Sequence, residues 1–119
     1  MTWTFESDKP IYGQIVERIK FRIVKGEYPP GSRIPSVREL ALEAGVNPNT
    51  VQRAYAELES EGVLYTERTN GKFVVNDSGL LNQLKQTLSR NYIEDLFQKL
   101  TDLGLTKEEI IAAVLAEKE

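Results

Sequence analysis

Between Ser36 and Gly62 the chain starts and stops a helix twice with almost nothing in between, and this punctuation limits the fold more than any other feature. Ser36-Val37-Arg38-Glu39 is a capping box, in which the Ser36 hydroxyl accepts the Glu39 backbone N–H and the Glu39 carboxylate reaches back to that of Ser36. Gly45 suits the left-handed terminator of the short helix that follows. Asn47 then caps a second helix and Pro48 suits its first position. Val51, Ala54, Tyr55 and Leu58 form one apolar stripe before Gly62 ends it. Two short helices joined by so tight a turn are the geometry of a helix-turn-helix. Ala41 is small where the helices cross, and Val46 and Val51 plug the angle between them.

The flanks complete the pattern. Pro10 opens a helix in which Ile11, Ile15, Ile19 and Ile23, with Tyr12 and Val16 alongside, recur at helical spacing; Gly26 stops it, and Tyr28-Pro29-Pro30-Gly31 cannot continue it. After Gly62, Val63-Leu64-Tyr65-Thr66 and Lys72-Phe73-Val74-Val75 read as strands joined by a turn containing Asn70-Gly71, both tolerant of positive φ. Asp77-Ser78-Gly79 breaks the chain. An amphipathic helix is expected from Leu80 to Leu103. Thr106-Lys107-Glu108-Glu109 is a second capping box, with Leu105 and Ile110 as its staple pair, and opens a last helix through about Ala116. The expected fold is mainly α with a small β-hairpin wing (α+β): a winged helix-turn-helix over residues 1–76, followed by a two-helix dimerisation tail over residues 77–119.

Composition narrows the function. A chain of 119 residues holds one domain and a short appendage. With no cysteine there is no disulfide, thiolate nucleophile or Cys-based zinc site. With no histidine the commonest general base and transition-metal ligand are missing as well. The chain is therefore expected not to be an enzyme, and to need no cofactor or metal. Glu57/Glu61 and Glu94/Asp95 are the only tempting carboxylate groups, and each reads as a solvated helix face. No apolar run approaches the ~18 residues of a membrane span, and Met1-Thr2-Trp3-Thr4-Phe5-Glu6 lacks the features of a secretory signal, so a cytoplasmic location is expected.

The net charge of -3 hides a split. Residues 1–76 carry ten Lys+Arg against ten Asp+Glu, and residues 77–119 carry five against eight. A neutral domain still presents a basic face if its charges segregate. On the second motif helix the buried stripe leaves Asn47, Asn49, Thr50, Gln52 and Arg53 free, the residue types that bond base edges. Asn47 is also the cap, which gives Asn49, Thr50 and Gln52 more weight as readers. Arg33, Arg38, Arg53, Arg68 and Lys72 are candidate phosphate clamps.

The segments Pro10-Ile11-Tyr12-x-Gln14-Ile15, Gly26-Glu27-Tyr28-Pro29-Pro30-Gly31-Ser32-Arg33-Ile34-Pro35-Ser36-Val37-Arg38-Glu39-Leu40-Ala41 and Val46-Asn47-Pro48-Asn49-Thr50-Val51-Gln52-Arg53-Ala54-Tyr55 carry a resemblance, as does Gly71-Lys72-Phe73-Val74. Over about residues 10–75 the chain resembles the DNA-binding domain of GntR-family bacterial transcriptional regulators, and it is similar to the YtrA-type subfamily. The resemblance implies a repressor that binds a palindromic operator as a homodimer. It places Arg38, Asn49, Thr50, Gln52 and the wing around Gly71 where the family touches DNA. The DNA-facing set is then Ser36, Arg38, Asn47, Asn49, Thr50, Gln52, Arg53, Arg68, Asn70, Gly71 and Lys72. Two positions depart from the pattern: Pro48 stands where many relatives have Arg or Ser, and Thr69 replaces a glycine common at the wing tip.

The tail resembles the short two-helix C-terminal region of the YtrA type. Its apolar stripe of Leu81, Leu84, Leu88, Tyr92, Leu96, Leu100 and Leu103, widened by Leu80, Leu81, Ile93 and Phe97, is more than one small domain covers, and self-association is the usual outcome. Leu81, Leu84, Leu88, Tyr92, Leu96, Leu100, Ile110 and Val114 are the expected dimer contacts. No effector can be named. A second reading stays open: a winged helix that docks a protein while its acidic tail recruits a partner. Exposed aromatics on the second motif helix would favour it; exposed Asn, Thr, Gln and Arg favour DNA.

Overall fold

Side-chain caps and left-handed glycines set the helix bounds in the computed structural model, which describes residues 2–117. Helix α1 spans Ile11–Lys25, α2 Val37–Ala44 and α3 Pro48–Ser60. The Ser36 capping box forms as expected, with the Glu39 N–H donating to Ser36 Oγ at 3.1 Å and the Ser36 N–H to Glu39 Oε1 at 2.8 Å. Gly45 takes φ +75° and lets its N–H and that of Val46 close on the Ala41 carbonyl; a side chain there would be strained. Asn47 Oδ1 then accepts the Asn49 N–H at 2.8 Å and starts α3.

The periodic stripes meet in one core. Ile15 and Ile19 of α1, Leu40 of α2, and Val51, Tyr55 and Leu58 of α3 are all buried, with Ile34 and Val63 at its edge. Helix α3 packs on both α1 and α2. The Tyr55 hydroxyl donates to the Pro35 carbonyl at 2.8 Å, so this buried phenol meets its polar requirement, and burial pushes its pKa up.

Strands β1 (Leu64–Glu67) and β2 (Gly71–Val74) pair antiparallel, Leu64 opposite Val74 and Glu67 opposite Gly71. Both lie one residue off the expected strands, β1 later and β2 earlier, because the turn is built differently. The Asn70 N–H closes a turn onto the Glu67 carbonyl at 3.2 Å, and Gly71 alone takes the left-handed region, at φ +99°. Asn70 keeps a negative φ. The Arg33 segment runs beside β2 through a bridge to Phe73, so the wing has a third, one-residue edge.

Helix α4 covers Ser78–Asp102 and α5 Lys107–Ala116. The Asp77-Ser78-Gly79 break proves to be a helix start. Asp77 Oδ1 accepts the Leu80 N–H at 3.1 Å, which satisfies one of the free donors of the first turn. Thr106 caps α5 in a second reciprocal box with Glu109. The chain divides into two compact units, the first ending at Leu84 and the second beginning at Lys85. Leu80, Leu81 and Leu84 belong to the core of the first. No helix among the described residues is long and apolar enough to cross a membrane.

Candidate nucleic-acid interface

The polar start of α3 faces a shallow groove lined by Pro10, Ile11, Tyr12, Asn49, Thr50 and Arg53. Asn49, Gln52 and Arg53 are exposed and Thr50 is half-buried, because the stripe of Val51, Ala54, Tyr55 and Leu58 turns the other side inward. Arg53 lies over the Tyr12 ring, 3.9 Å from its centroid. The side-chain oxygen of Asn47 is engaged as the cap.

A second groove separates the start of α2 from the wing and is lined by Arg33, Ser36, Thr66, Arg68, Gly71 and Lys72 among others. Gly71 is favoured here by its φ of +99°, and a Cβ on it would sit 3.1 Å from the Arg33 Nε, which would have to shift slightly. Arg38 projects from the first turn of α2 and is exposed. Glu39, in the same turn, is held below the usual carboxylate range by the Ser36 backbone N–H. Asn70 is exposed at the turn and donates from Nδ2 to Glu67 Oε2 at 3.2 Å.

The cations of the first unit fall into two groups. Lys20 pairs with Glu61 at 2.7 Å, and Arg22 with Glu43 at 2.5 Å and Glu27 at 3.2 Å. Lys72, expected as a phosphate clamp, joins this paired group in the free chain. Its register opposite Thr66, with Glu59 near the end of α3, draws it inward. Its Nζ donates to Glu59 Oε1 at 2.5 Å and to Thr66 Oγ1 at 2.9 Å, and the Thr66 hydroxyl donates to Glu59 Oε2 at 2.7 Å. Lys72 in turn holds the Glu59 carboxyl below its usual range. Glu61, expected to be merely solvated, is the partner of Lys20, and its hydrogen bond with Glu57 pushes the Glu57 carboxyl up. Arg33, Arg38, Arg53 and Arg68 form no ion pair with any described residue.

Two features escaped sequence reasoning. Trp3 and Phe5 pack against the core, and Arg22 is a half-buried hub bonded to Glu43, Glu27 and the Tyr28 hydroxyl. Its sequence neighbourhood gives no sign of this, since Glu43 lies 21 residues away. The bridge of Arg33 to the wing is the other, and a single pairing leaves no alternation to read.

The tail divides the expected contact residues. Leu84, Leu88 and Ile110 are buried within the single chain, so an interface formed without rearrangement leaves them out. Leu81 and Leu100 are half-buried. Tyr92, Leu96 and Val114 are exposed, together with Ile93, Leu103, Ile111 and Leu115, of which Leu103 and Leu115 are 76% and 80% exposed.

The sequence model of bacterial regulatory proteins of the gntR family matches residues 11–74. The HTH-type transcriptional repressor YtrA of Bacillus subtilis (strain 168) is 38% identical over 105 residues, 87% of this chain and 81% of its own. A GntR family transcriptional regulator from Listeria monocytogenes superposes with a TM-score of 0.83 at 43% identity, covering 96% of this chain and 100% of that one. The AraR DBD in complex with operator ORX1 superposes with a TM-score of 0.55 at 32% identity over 63% of this chain and 93% of that one.

Proposed function

The chain belongs to the gntR family of bacterial regulatory proteins, and from that premise we propose that it is a cytoplasmic, sequence-specific DNA-binding repressor that grips a palindromic operator as a homodimer. The observation that carries this reading is the division of the cations. Lys20, Arg22 and Lys72 are neutralised within the fold. Of the cations in no ion pair, Arg18 and Lys25 lie against the Trp3 and Phe21 rings on α1, while Arg33, Arg38, Arg53 and Arg68 stand around the start of α2, in the first half of α3 and on the wing. Cations left without acids beside helix N-termini suit a polyanion. Asn49, Thr50 and Gln52 are placed to read base edges from the start of α3, with Arg38 and Arg68 holding phosphates. Domain roles follow: residues 1–76 bind DNA, and the helices beyond join two copies. The likeness to the AraR DBD seated on an operator supports the same docking. The exposed positions of α3 include no large apolar or aromatic side chain, which weighs against a protein-docking surface there.

Two identical copies read an inverted repeat. The exposed Tyr92, Leu96 and Val114 of the second unit are the proposed contact between them. Selection from random duplex DNA tests the whole reading. The expected result is an inverted repeat whose half-site centres lie about 10 base pairs apart, bound by a species that sediments as two chains. Enrichment of no sequence, with equal affinity for scrambled duplexes, would overturn it.

A further inference from the structure

The segment ahead of α1 is held by side chains that DNA contact does not use. Gln14 staples it: its Oε1 accepts the Glu6 N–H at 2.8 Å, and its Nε2 donates to the Glu6 and Lys9 carbonyls at 2.9 and 3.0 Å. Beyond the staple, Trp3 lies against two arginines of α1, its ring centroid 4.6 Å from the Arg18 guanidinium carbon and 4.9 Å from that of Arg22. The Trp3 indole N–H donates to Glu43 Oε2 at 3.0 Å, and its backbone N–H to the Ala44 carbonyl at 3.2 Å. Glu43 and Ala44 are the last two residues of α2. The Thr2 side chain fills the space that a Cβ on Gly45 would need.

This cluster sits where the backbones of α1 and α2 come together only sparsely. Helix α3 packs closely on α1 and on α2, but α1 and α2 barely meet each other. Beyond the shared apolar core, the polar tie between them is Arg22 to Glu43, with Trp3 covering the pair. The angle of α2 against α1 fixes the Gly45 turn, and that turn delivers the start of α3. We propose that Trp3 is a positioning residue for operator readout: it ties the end of α2 to α1 and so sets the place at which Asn49, Thr50 and Gln52 meet the bases. The proposal rests on the DNA-binding reading above. Trp3 itself touches no part of the two grooves.

The test compares wild type, Trp3→Ala and Trp3→Phe on the duplex that wild type enriches from random DNA and on a scrambled duplex. Trp3→Ala should lose about tenfold on the selected duplex, the equivalent of one poor base contact, and no more than about twofold on the scrambled one. Its salt slope should not change, since no phosphate contact is removed. Trp3→Phe keeps an aromatic ring but loses the bond to Glu43, and should fall about threefold on the selected duplex. In the free protein, the Gly45 and Val46 amides, bonded to the Ala41 carbonyl at 2.9 and 3.1 Å, should exchange faster in both variants. A folded Trp3→Ala with wild-type discrimination, or with equal loss on both duplexes, overturns the positioning role. If Trp3→Ala does not fold, Trp3→Phe decides, and wild-type exchange and discrimination in it overturn the proposal. A wild type that enriches no duplex strikes the DNA-binding reading instead, and amide exchange then judges Trp3 alone.

Discussion

The two units leave opposite things unsatisfied. In the unit ending at Leu84 the apolar stripes of three helices close on one another; Ile11, Phe21, Leu42 and Tyr65 are left singly at the surface, and the starts of α2 and α3 and the wing keep Arg33, Arg38, Arg53 and Arg68 outside any ion pair. In the unit from Lys85 the one ion pair among the described residues, Lys99 to Asp95 at 2.9 Å, lies on an exposed helix face. What remains open there is apolar: Tyr92, Ile93, Leu96, Leu103, Ile111, Val114 and Leu115. An exposed pair of that kind contributes at most about 1 kcal/mol. Each full burial of a Leu-sized side chain is worth about 2 kcal/mol. On the proposed reading, the difference shows how so short a chain would divide its work: one unit completes its core and offers cations to a polyanion, and the other offers apolar surface to a second copy.

The sharpest way to break that comparison is to remove the second unit. A cut after Asn76 would strip Leu80, Leu81 and Leu84 from the first unit's core, so the cut belongs after Lys85. The shortened protein should stay folded and sediment as one chain. It should bind the selected inverted repeat roughly 100- to 10,000-fold more weakly, because the second half-site is no longer held at high effective concentration. A shortened protein that still sediments as a dimer places the interface in the first unit and ends the division of labour.

Within the first unit, two substitutions should separate reading from gripping. Gln52→Ala removes an exposed side chain from α3, so the melting temperature should hold, since Ala is the best helix former. Titration on the selected duplex should show a loss of about 1–3 kcal/mol per half-site, and far less on the scrambled one. Arg38→Ala should weaken both duplexes alike and lower the salt slope by about one for each phosphate left without its cation. If Arg38→Ala changes which bases are preferred while the slope stays put, Arg38 reads a base and the two roles are exchanged.

What the sequence made legible was local. The Ser36 and Thr106 boxes, the Asn47 cap and the left-handed Gly45 each depend on residues within four positions of one another, and all are found in place. The periodic isoleucines of α1 and the stripe of α3 were legible for the same reason. What the sequence did not show depends on distance. Trp3 and Glu43 lie 40 positions apart, and no period in the sequence announces the contact. Lys72 reads as a free cation in sequence because Glu59, its partner, lies 13 residues back on another element. The leucine stripe of the tail is uniform in sequence, and only the fold separates the buried Leu84 and Leu88 from the exposed Tyr92 and Leu96. The candidate DNA-contacting residues were legible as types and spacings, whereas which arginines stay unpaired was decided by packing.

The smallest expected effect concerns pH and is argued from the first unit. Glu43, bonded to Arg22, and Glu59, bonded to Lys72, are both held below the ordinary carboxylate range, and both belong to the first unit. A carboxylate whose folded value is depressed contributes stability that is fully present above its unfolded pKa of about 4.3 and is lost as pH falls through the folded value. Thermal stability should therefore stay level from pH 8 to about 5 and decline below about 4.5. With no histidine in the chain, affinity for DNA should also be level between about pH 6 and 8, a window in which ordinary histidines titrate. Glu59→Gln keeps an acceptor for Thr66 but removes the charge facing Lys72, and should cost under about 1 kcal/mol at pH 7, where the pair is only partly sheltered. Because the stabilisation it removes is the part lost in acid, the variant should close most of its gap to wild type by about pH 3. Melting curves of both proteins from about pH 3 to 8 check this, and a wild-type decline that begins between pH 6 and 7 would exclude these two carboxylates as its source.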